Sequence, residues 1–503
     1  MQKYSRRDFL KLAAMLPTAW ALSRLDPSES YLNLGQNSGL PNVIVLVFDA
    51  MSAYHLSLYG YLRKTTPNLE RFAERANVYN AHYSTANFTV PGVASMLTGL
   101  CPWTHRALQL SGLIARGLTD DNLFELMGAD YHRFGFSQNV YATNLMNQFR
   151  SEIDDLLPSS SFSDISALPS EFFKNDPLTA HQVDDNVLFD LIDPPGSLLF
   201  GIAQRVYFER KKRFDRDFPR GIPQPRNYPI VYRLEKVFEG LFKTFDSMPN
   251  PFVSYVHIFS PHAPYRARRD FIGVFDDGWT HIRKPDHVFS EGETYETIGQ
   301  NRVWYDEYIA NVDYEFGRLV DYLERIGLLD NSYLVVTSDH GELLERGIKG
   351  HVTPVLYEPL MRVPLVISSP GQTRRENIDT PTSSVDLLPT LLNLAGKSIP
   401  DWAQGEILPG LGGQGNPERE IYMLEAKSSS AFAKLSKATF AMRKGKYKII
   451  MYRGYEVFEE DTFELYDLEN DPEEMSDLFT SEPLLANELK DTLVKKFEEV
   501  SQP

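Results

Sequence analysis

The run Val43-Ile44-Val45-Leu46-Val47-Phe48 is apolar at every position and stops at Asp49. A half-exposed strand alternates; an unbroken apolar run predicts a strand buried on both faces, as in a parallel sheet. Tyr333-Leu334-Val335-Val336-Thr337 repeats the pattern and ends at Ser338-Asp339-His340-Gly341-Glu342, and Val363 to Ile367 gives a third such run. Between the strands the period changes. Tyr305, Ile309, Val312, Phe316, Leu319 and Leu323 recur three or four residues apart, which predicts an amphipathic helix near 304–327 with Gly327 past its end. Thr66-Pro67 reads as the N-cap and first residue of a helix reaching about Ala76, and a further helix is expected over 385–395, ending at Gly396. Strands alternating with helices predict an α/β fold with a mostly parallel central sheet flanked by helices. Ligands of such sheets bind beyond the carboxyl ends of the strands, where Asp49 and Asp339 fall.

The pattern also divides the chain. Residues 41–400 are expected to form the catalytic domain, with an insert near 150–250 that follows no clear period. Residues 401–417 are rich in Gly, Pro and Gln and read as a linker. Phe440 to Tyr452 and Glu464 to Leu468 then predict antiparallel strands and 484–500 a terminal helix, so 401–503 is expected to be a small α+β subdomain. Inside the insert, Arg205 to Arg226 is basic and aromatic, with Arg210, Lys211, Lys212 and Arg213 beside Tyr207, Phe208 and Phe214. It is either a lid or membrane-surface contact or a solvated helix face whose stems cover the core.

At the N-terminus, Ser5-Arg6-Arg7-Asp8-Phe9-Leu10-Lys11 precedes a short apolar run from Leu12 to Leu22, and Ala19-Trp20-Ala21 suits a cleavage site. Residues 1–21 therefore read as a twin-arginine signal peptide and 22–40 as a linker. The expected destination is the periplasm or another extracytoplasmic space.

Composition narrows the function. Among 503 residues, Lys and Arg number 51 and Asp and Glu 68, a net charge of −17, which excludes a general nucleic-acid binder. The single cysteine, Cys101, excludes an intrachain disulfide and a thiolate zinc site, and is expected to be a small core residue. No run of about 18 apolar residues suggests a membrane span.

The chemistry gathers at the strand ends. Asp339 and His340 are neighbours, so both reach one ion only from the loop past the strand. Together with Asp49 they make a mixed oxygen and nitrogen site suited to one divalent cation, Mn, Mg, Ca or Zn. Asn87-Phe88-Thr89-Val90-Pro91-Gly92 enters a helix ending at Gly99, which puts Thr89 at the helix N-terminus. There free N–H groups favour an anion, and a hydroxyl beside a divalent ion is a nucleophile for phosphorus or sulfur; otherwise Thr89 serves only as an N-cap.

Several blocks occur in a familiar order: Pro41 to Asp49, Tyr59-Gly60-Tyr61, Thr65 to Leu69, Ala94 to Pro102, Pro261-His262-Ala263-Pro264-Tyr265, Ser338 to Glu342, Gly350-His351, Tyr357 to Pro364, Val385 to Leu391 and Glu464 to Glu474. Together they resemble the sulfatase family of the alkaline phosphatase superfamily. The resemblance implies that fold, and implies Asp49, Asp339 and His340 as metal ligands completed by Thr89. It implies Thr89 as the nucleophile, His262 as the acid at the leaving oxygen, and His351 as a contact of the transferred group. Asn139 falls where the family lines its site. Glu342 and Asp386 read as structural, and His257 as support for the ligands or a satisfied core histidine.

Two departures bear on the mechanism. Ala50 stands where such enzymes carry a second acid. Thr89-Val90-Pro91-Gly92-Val93 replaces the motif in which a Cys or Ser becomes formylglycine; threonine cannot give that aldehyde, and Val93 replaces its arginine. A threonine nucleophile resembles the phosphodiesterases and phosphoryl-group transferases of the superfamily. The expected function is thus a metal-dependent hydrolase or transferase of sulfate or phosphate esters acting through Thr89, with the balance toward phosphoryl chemistry. The alternatives are a sulfuric ester hydrolase without formylglycine and a degenerate, non-catalytic anion-binding relative. The expected partner is a small-molecule, glycan or lipid head-group ester, with peripheral membrane contact and no nucleic acid.

Overall fold

The computed structural model describes residues 39–166, 179, 198–225 and 230–502. The twin-arginine segment, nearly all of the 22–40 linker, much of the insert and Arg226 lie outside the described residues. The strands are β1 (Asn42–Phe48), β2 (Asn77–Tyr79), β3 (His132–Ser137), β4 (Asp155–Leu157), β5 (Phe252–Ile258), β6 (Ser332–Thr337), β7 (Leu343–Glu345), β8 (Ile348–Gly350), β9 (Leu365–Ser368) and β10 (Glu376–Ile378). All but the β7–β8 hairpin join one sheet in the order β10-β2-β9-β6-β1-β5-β3-β4. The stretch from β6 to β4 is parallel throughout. The third apolar run, β9, runs antiparallel to both β6 and β2. Periodicity identifies a buried strand but not its direction, since either direction buries both faces in the middle of a sheet.

The helices that cover this sheet are α1 (Pro67–Ala73), α2 (Thr89–Thr98), α3 (Val140–Gln148), α4 (Leu234–Ser247), α5 (Tyr295–Arg325) and α6 (Leu387–Leu394). β1 shows why both faces are apolar. Ile44, Leu46 and Phe48 pack with α1, α4 and α5. Val43, Val45 and Val47 pack with α2, α3 and α6 on the other side. α5 begins at Tyr295, about nine residues before the apolar period becomes visible, because Thr294 caps it and its first turns are largely polar. α1 has Thr66 at its N-cap and Pro67 at N1, yet its free N–H groups bond elsewhere: Asn68 and Leu69 donate to the buried Asp313 carboxylate at 2.8 Å.

Beyond the sheet, β11 (Ile421–Glu425), β12 (Ala438–Lys444), β13 (Tyr447–Arg453) and β14 (Thr462–Asp467) form an antiparallel sheet in chain order, with α7 (Pro483–Val500). The 440–452 run lies on an antiparallel hairpin, turned at Gly445 with φ 54°. One face of this sheet packs on α7 through Phe440, Ile449 and Met451. Its other face, through Met423, Ile450 and Tyr452, packs on Leu343, Ile348, Tyr357 and Leu360. Residues 401–417, expected as a linker, bury Leu408 and Leu411 among the α6 leucines. Cys101 is half-buried at the edge of the α7 core rather than inside it, and burial of its thiol pushes its pKa up to about 12. No helix among the described residues is long and apolar enough to cross a membrane.

Candidate active site

The site lies where β1, β5 and β6 end. Asp49 follows β1 directly, and its N–H donates to Ile258 at the end of β5 at 2.9 Å. The chain then turns sharply: Ala50 has φ 59°, an uncommon conformation for a residue with a side chain. Three bonds hold it there. Ala50 donates to Asp339 Oδ1 at 3.2 Å, Met51 donates to Ser338 Oγ at 2.9 Å, and Tyr305 Oη donates to the Ala50 carbonyl at 2.5 Å. Strain held by surrounding structure in this way is characteristic of functional loops. Asp339, His340 and Asp49 are all fully buried.

His340 Nδ1 lies 2.8 Å from the Gly341 carbonyl, so it must carry the proton and leave Nε2 as a lone pair. That nitrogen is 3.5 Å from Asp49 Oδ1, 3.5 Å from Asp339 Oδ2 and 3.4 Å from Thr89 Oγ1. Asp49 Oδ1 and Asp339 Oδ2 have no hydrogen-bond partner among the described residues. Buried acceptors that converge without a donor are costly unless a positive charge sits among them. Burial lowers the His340 pKa and keeps its ring neutral, while burial and the neighbouring Asp49 raise Asp339. Asp49 itself is held low: burial opposes its ionisation, but His262 and His257 outweigh it. This donor set fits a divalent cation.

Thr89 is the first residue of α2; the N-cap is Phe88, so the hydroxyl does not cap the helix. Its Oγ1 accepts from Asn139 Nδ2 at 3.2 Å. The same amide donates to Asp49 Oδ2 at 2.6 Å, while Asn139 Oδ1 accepts from Tyr141 N at the start of α3. The α3 cap thus aims the Asn139 amide at the site. The loop before α2 is tied by Asn87, whose Nδ2 donates to the carbonyls of His351 and Thr353, both at 2.8 Å. Gly92 allows α2 to approach Asp339: a Cβ there would lie 2.5 Å from the Asp339 carbonyl oxygen. Val93, where an arginine was the alternative, is fully buried in the α2 core.

Two more histidines line up beside His340. The His351 ring centre is 4.3 Å from that of His340 and 4.7 Å from that of His262. His262 donates Nδ1–H to the Ala263 carbonyl at 2.6 Å. His351 donates Nδ1–H to Glu342 Oε1 at 3.0 Å. The β7–β8 hairpin makes that pair: Leu343 faces Gly350, so the residues just outside it, 342 and 351, meet. Its two-residue turn, Arg346-Gly347, has φ 56° and 72°, the twist that matches a tight hairpin. Glu342, expected to be structural, orients His351, which lowers its carboxyl pKa against the opposing effect of burial. Asp386 does bond backbone, accepting from Ser383 and Glu406, and also pairs with Arg419.

The geometry brings together Asp49, Thr89, Asn139, Asp339, His340, His351 and His262. It adds His257, whose Nε2 lies 3.5 Å from Asp49 and 3.7 Å from Asp339. The sequence signal was an imidazole at the end of an otherwise apolar strand face.

Residues 41–195 and 207–397 match the family model described as Sulfatase, and 353–502 match that described as N-sulphoglucosamine sulphohydrolase, C-terminal. A choline-sulfatase of Rhizobium meliloti (strain 1021) is 30% identical over 268 residues, 48% of this chain and 49% of that protein. The chain thus spans about half the length of that relative. An N-acetylgalactosamine-6-O-sulfatase of Bacteroides thetaiotaomicron is 22% identical over 91% of this chain and 93% of the relative. Among solved structures, the phosphonate monoester hydrolase of Agrobacterium radiobacter has a similar fold, with TM-score 0.67 at 19% identity over 92% of this chain and 96% of that one.

Proposed function

The chain belongs to the sulfatase family, and from that premise we propose that it is a metal-dependent hydrolase or group transferase of phosphate, phosphonate or sulfate esters acting through Thr89, with phosphoryl esters preferred. The observation that carries this is the position of Thr89 Oγ1, 3.4 Å from His340 Nε2 and 3.2 Å from Asn139 Nδ2 at the start of a helix. Asp49, Asp339 and His340 would hold one divalent cation beside Thr89; when bound, it supplies positive charge that favours an ionised hydroxyl and an anionic ester.

The chain's own groups then have separate tasks. Thr89, its proton lost to water, attacks phosphorus or sulfur, and the bond to the leaving oxygen breaks. His262, anchored through Nδ1, gives the leaving oxygen a proton from Nε2. In the second half it takes a proton from the water or alcohol that resolves the Thr89 ester. Asn139 Nδ2 holds the Thr89 oxygen, His351 Nε2 holds an oxygen of the transferred group, and the α2 N-terminus adds its free N–H groups. Ala50 in place of an acid and Thr89 in place of a formylglycine precursor favour phosphoryl over sulfuryl transfer. The relatives named for sulfate esters favour a second reading, a sulfuric ester hydrolase that uses threonine directly.

The test is turnover of matched chromogenic phosphate diesters, phosphate monoesters and sulfates with added Mn, Mg, Ca or Zn, using Thr89→Ala as the blank. Phosphate turnover above the sulfate rate is expected. Sulfate turnover alone would select the second reading, and cation binding without any turnover would mark an anion-binding relative.

The same reading places the enzyme outside the cytoplasm, exported by the twin-arginine segment, with 41–400 as catalytic body and 401–503 as subdomain. The helix Leu198–Lys211 exposes Ile202, Val206 and Phe208 next to Arg205 and Arg210, a composition suited to an anionic lipid surface. Charge reversal of Arg205, Arg210 and Arg213 should abolish sedimentation with anionic vesicles, and unchanged sedimentation would overturn this contact.

A further inference from the structure

The convergence of acceptors does not stop at His340. His257 occupies the β5 face that carries Val253 and Tyr255, and both of those pack in the α2 core. It is fully buried, and neither of its ring nitrogens has a hydrogen-bond partner among the described residues. A buried imidazole left in that state costs about 1–3 kcal/mol, so it is not a satisfied core histidine. Its Nε2 faces the two carboxylates of the site, 3.5 Å from Asp49 Oδ2 and 3.7 Å from Asp339 Oδ2. Charge-assisted hydrogen bonds run at about 2.7–2.9 Å, so the ring makes no short bond to either carboxylate. The distances are separations that donor atoms sharing one ion would have: Asp49, His257 and Asp339 each offer a donor atom, all within 4.8 Å of one another. The Asp49 carboxylate divides accordingly, Oδ1 toward His340 and Oδ2 toward His257.

We infer that His257, through Nε2, is a further protein ligand of the cation. This rests on the cation reading of the proposed function and deepens it. With His257 the donor set holds two imidazoles, two carboxylates and the Thr89 hydroxyl. Calcium and magnesium take oxygen ligands, whereas a set with two neutral imidazoles suits a borderline first-row ion of the zinc type. The site therefore selects zinc-class ions over calcium and magnesium.

The experiment uses the full chain stripped with a chelator and reloaded. Competition titration should show zinc bound at least 100-fold tighter than calcium or magnesium; the reverse order would overturn the selectivity. X-ray absorption on the zinc-loaded wild type should count two imidazole ligands. A count of one would overturn the role of His257 while leaving the cation reading intact. His257→Gln should weaken zinc at least 100-fold, and an unchanged affinity would likewise sink the inference. If that variant does not fold, the imidazole count on the wild type decides alone. Binding of no metal at all would overturn both this inference and the cation reading beneath it.

Discussion

At the carboxyl ends of β1 and β6, Asp49 and Asp339 face one another with lone pairs that meet no donor. Where β13 passes under Glu358, the opposite holds. Lys448 Nζ donates to Glu358 Oε1 at 3.0 Å and to Glu474 Oε1 at 2.9 Å. Tyr83 Oη donates to the remaining Glu358 oxygen and the Glu358 N–H to the remaining Glu474 oxygen. Both clusters are fully buried. The second is complete in itself and ties the C-terminal sheet to the main body. The first is complete only with something added. Satisfied buried charge marks architecture; orphaned buried charge marks a site.

The contrast can be broken at either cluster. The largest effect is expected from Thr89→Ala, which should lower kcat/KM at least ~1000-fold, about 4 kcal/mol of transition-state stabilisation, with an unchanged melting temperature. Lys448→Met should do the reverse. It strands two carboxylates and should cost about 3–5 kcal/mol in urea unfolding, with kcat altered far less than stability. Next comes acid sensitivity. His105 is buried with both nitrogens used: Nδ1 accepts from Ala107 and Nε2 donates to Ser95. Burial lowers its pKa to about 3, and that of His82 likewise. Between about pH 6.5 and 3 the unfolded chain binds protons that the folded one refuses, so stability falls as pH drops. Each histidine contributes up to about 1.4 kcal/mol per pH unit. His105→Gln should flatten the acid limb by that share, and a limb of unchanged slope would refute the assignment. The smallest effect sharpens the comparison most. Asp339→Asn removes one of two facing carboxylates, so the chelated protein should gain about 1 kcal/mol while losing activity.

What could be read from the sequence follows from how local each signal is. Asp49 and Asp339 were visible because each ends an unbroken apolar run. Thr89 was visible because Pro91 and Gly99 bracket its helix. Glu342 and His351 were each visible alone, but their pairing depends on the register of the β7–β8 hairpin, which a list of residues does not state. His257 looked ordinary because a histidine in a strand is usually satisfied; only the fold shows that neither of its nitrogens has a hydrogen-bond partner among the described residues. The antiparallel course of β9 was hidden because either direction buries both faces of a central strand, and the early start of α5 because its first turns are polar and carry no apolar period.

The missing β-carbon at Gly92 has a consequence for how such an enzyme diversifies. Because α2 rests directly on the Asp339 carbonyl, the two segments cannot drift apart or slide without losing that seat. Chemistry at residue 89 can be exchanged atom by atom beyond its own β-carbon, but the frame around it is a single casting. New substrates must then be accommodated by residues around His262, and not by remodelling this floor.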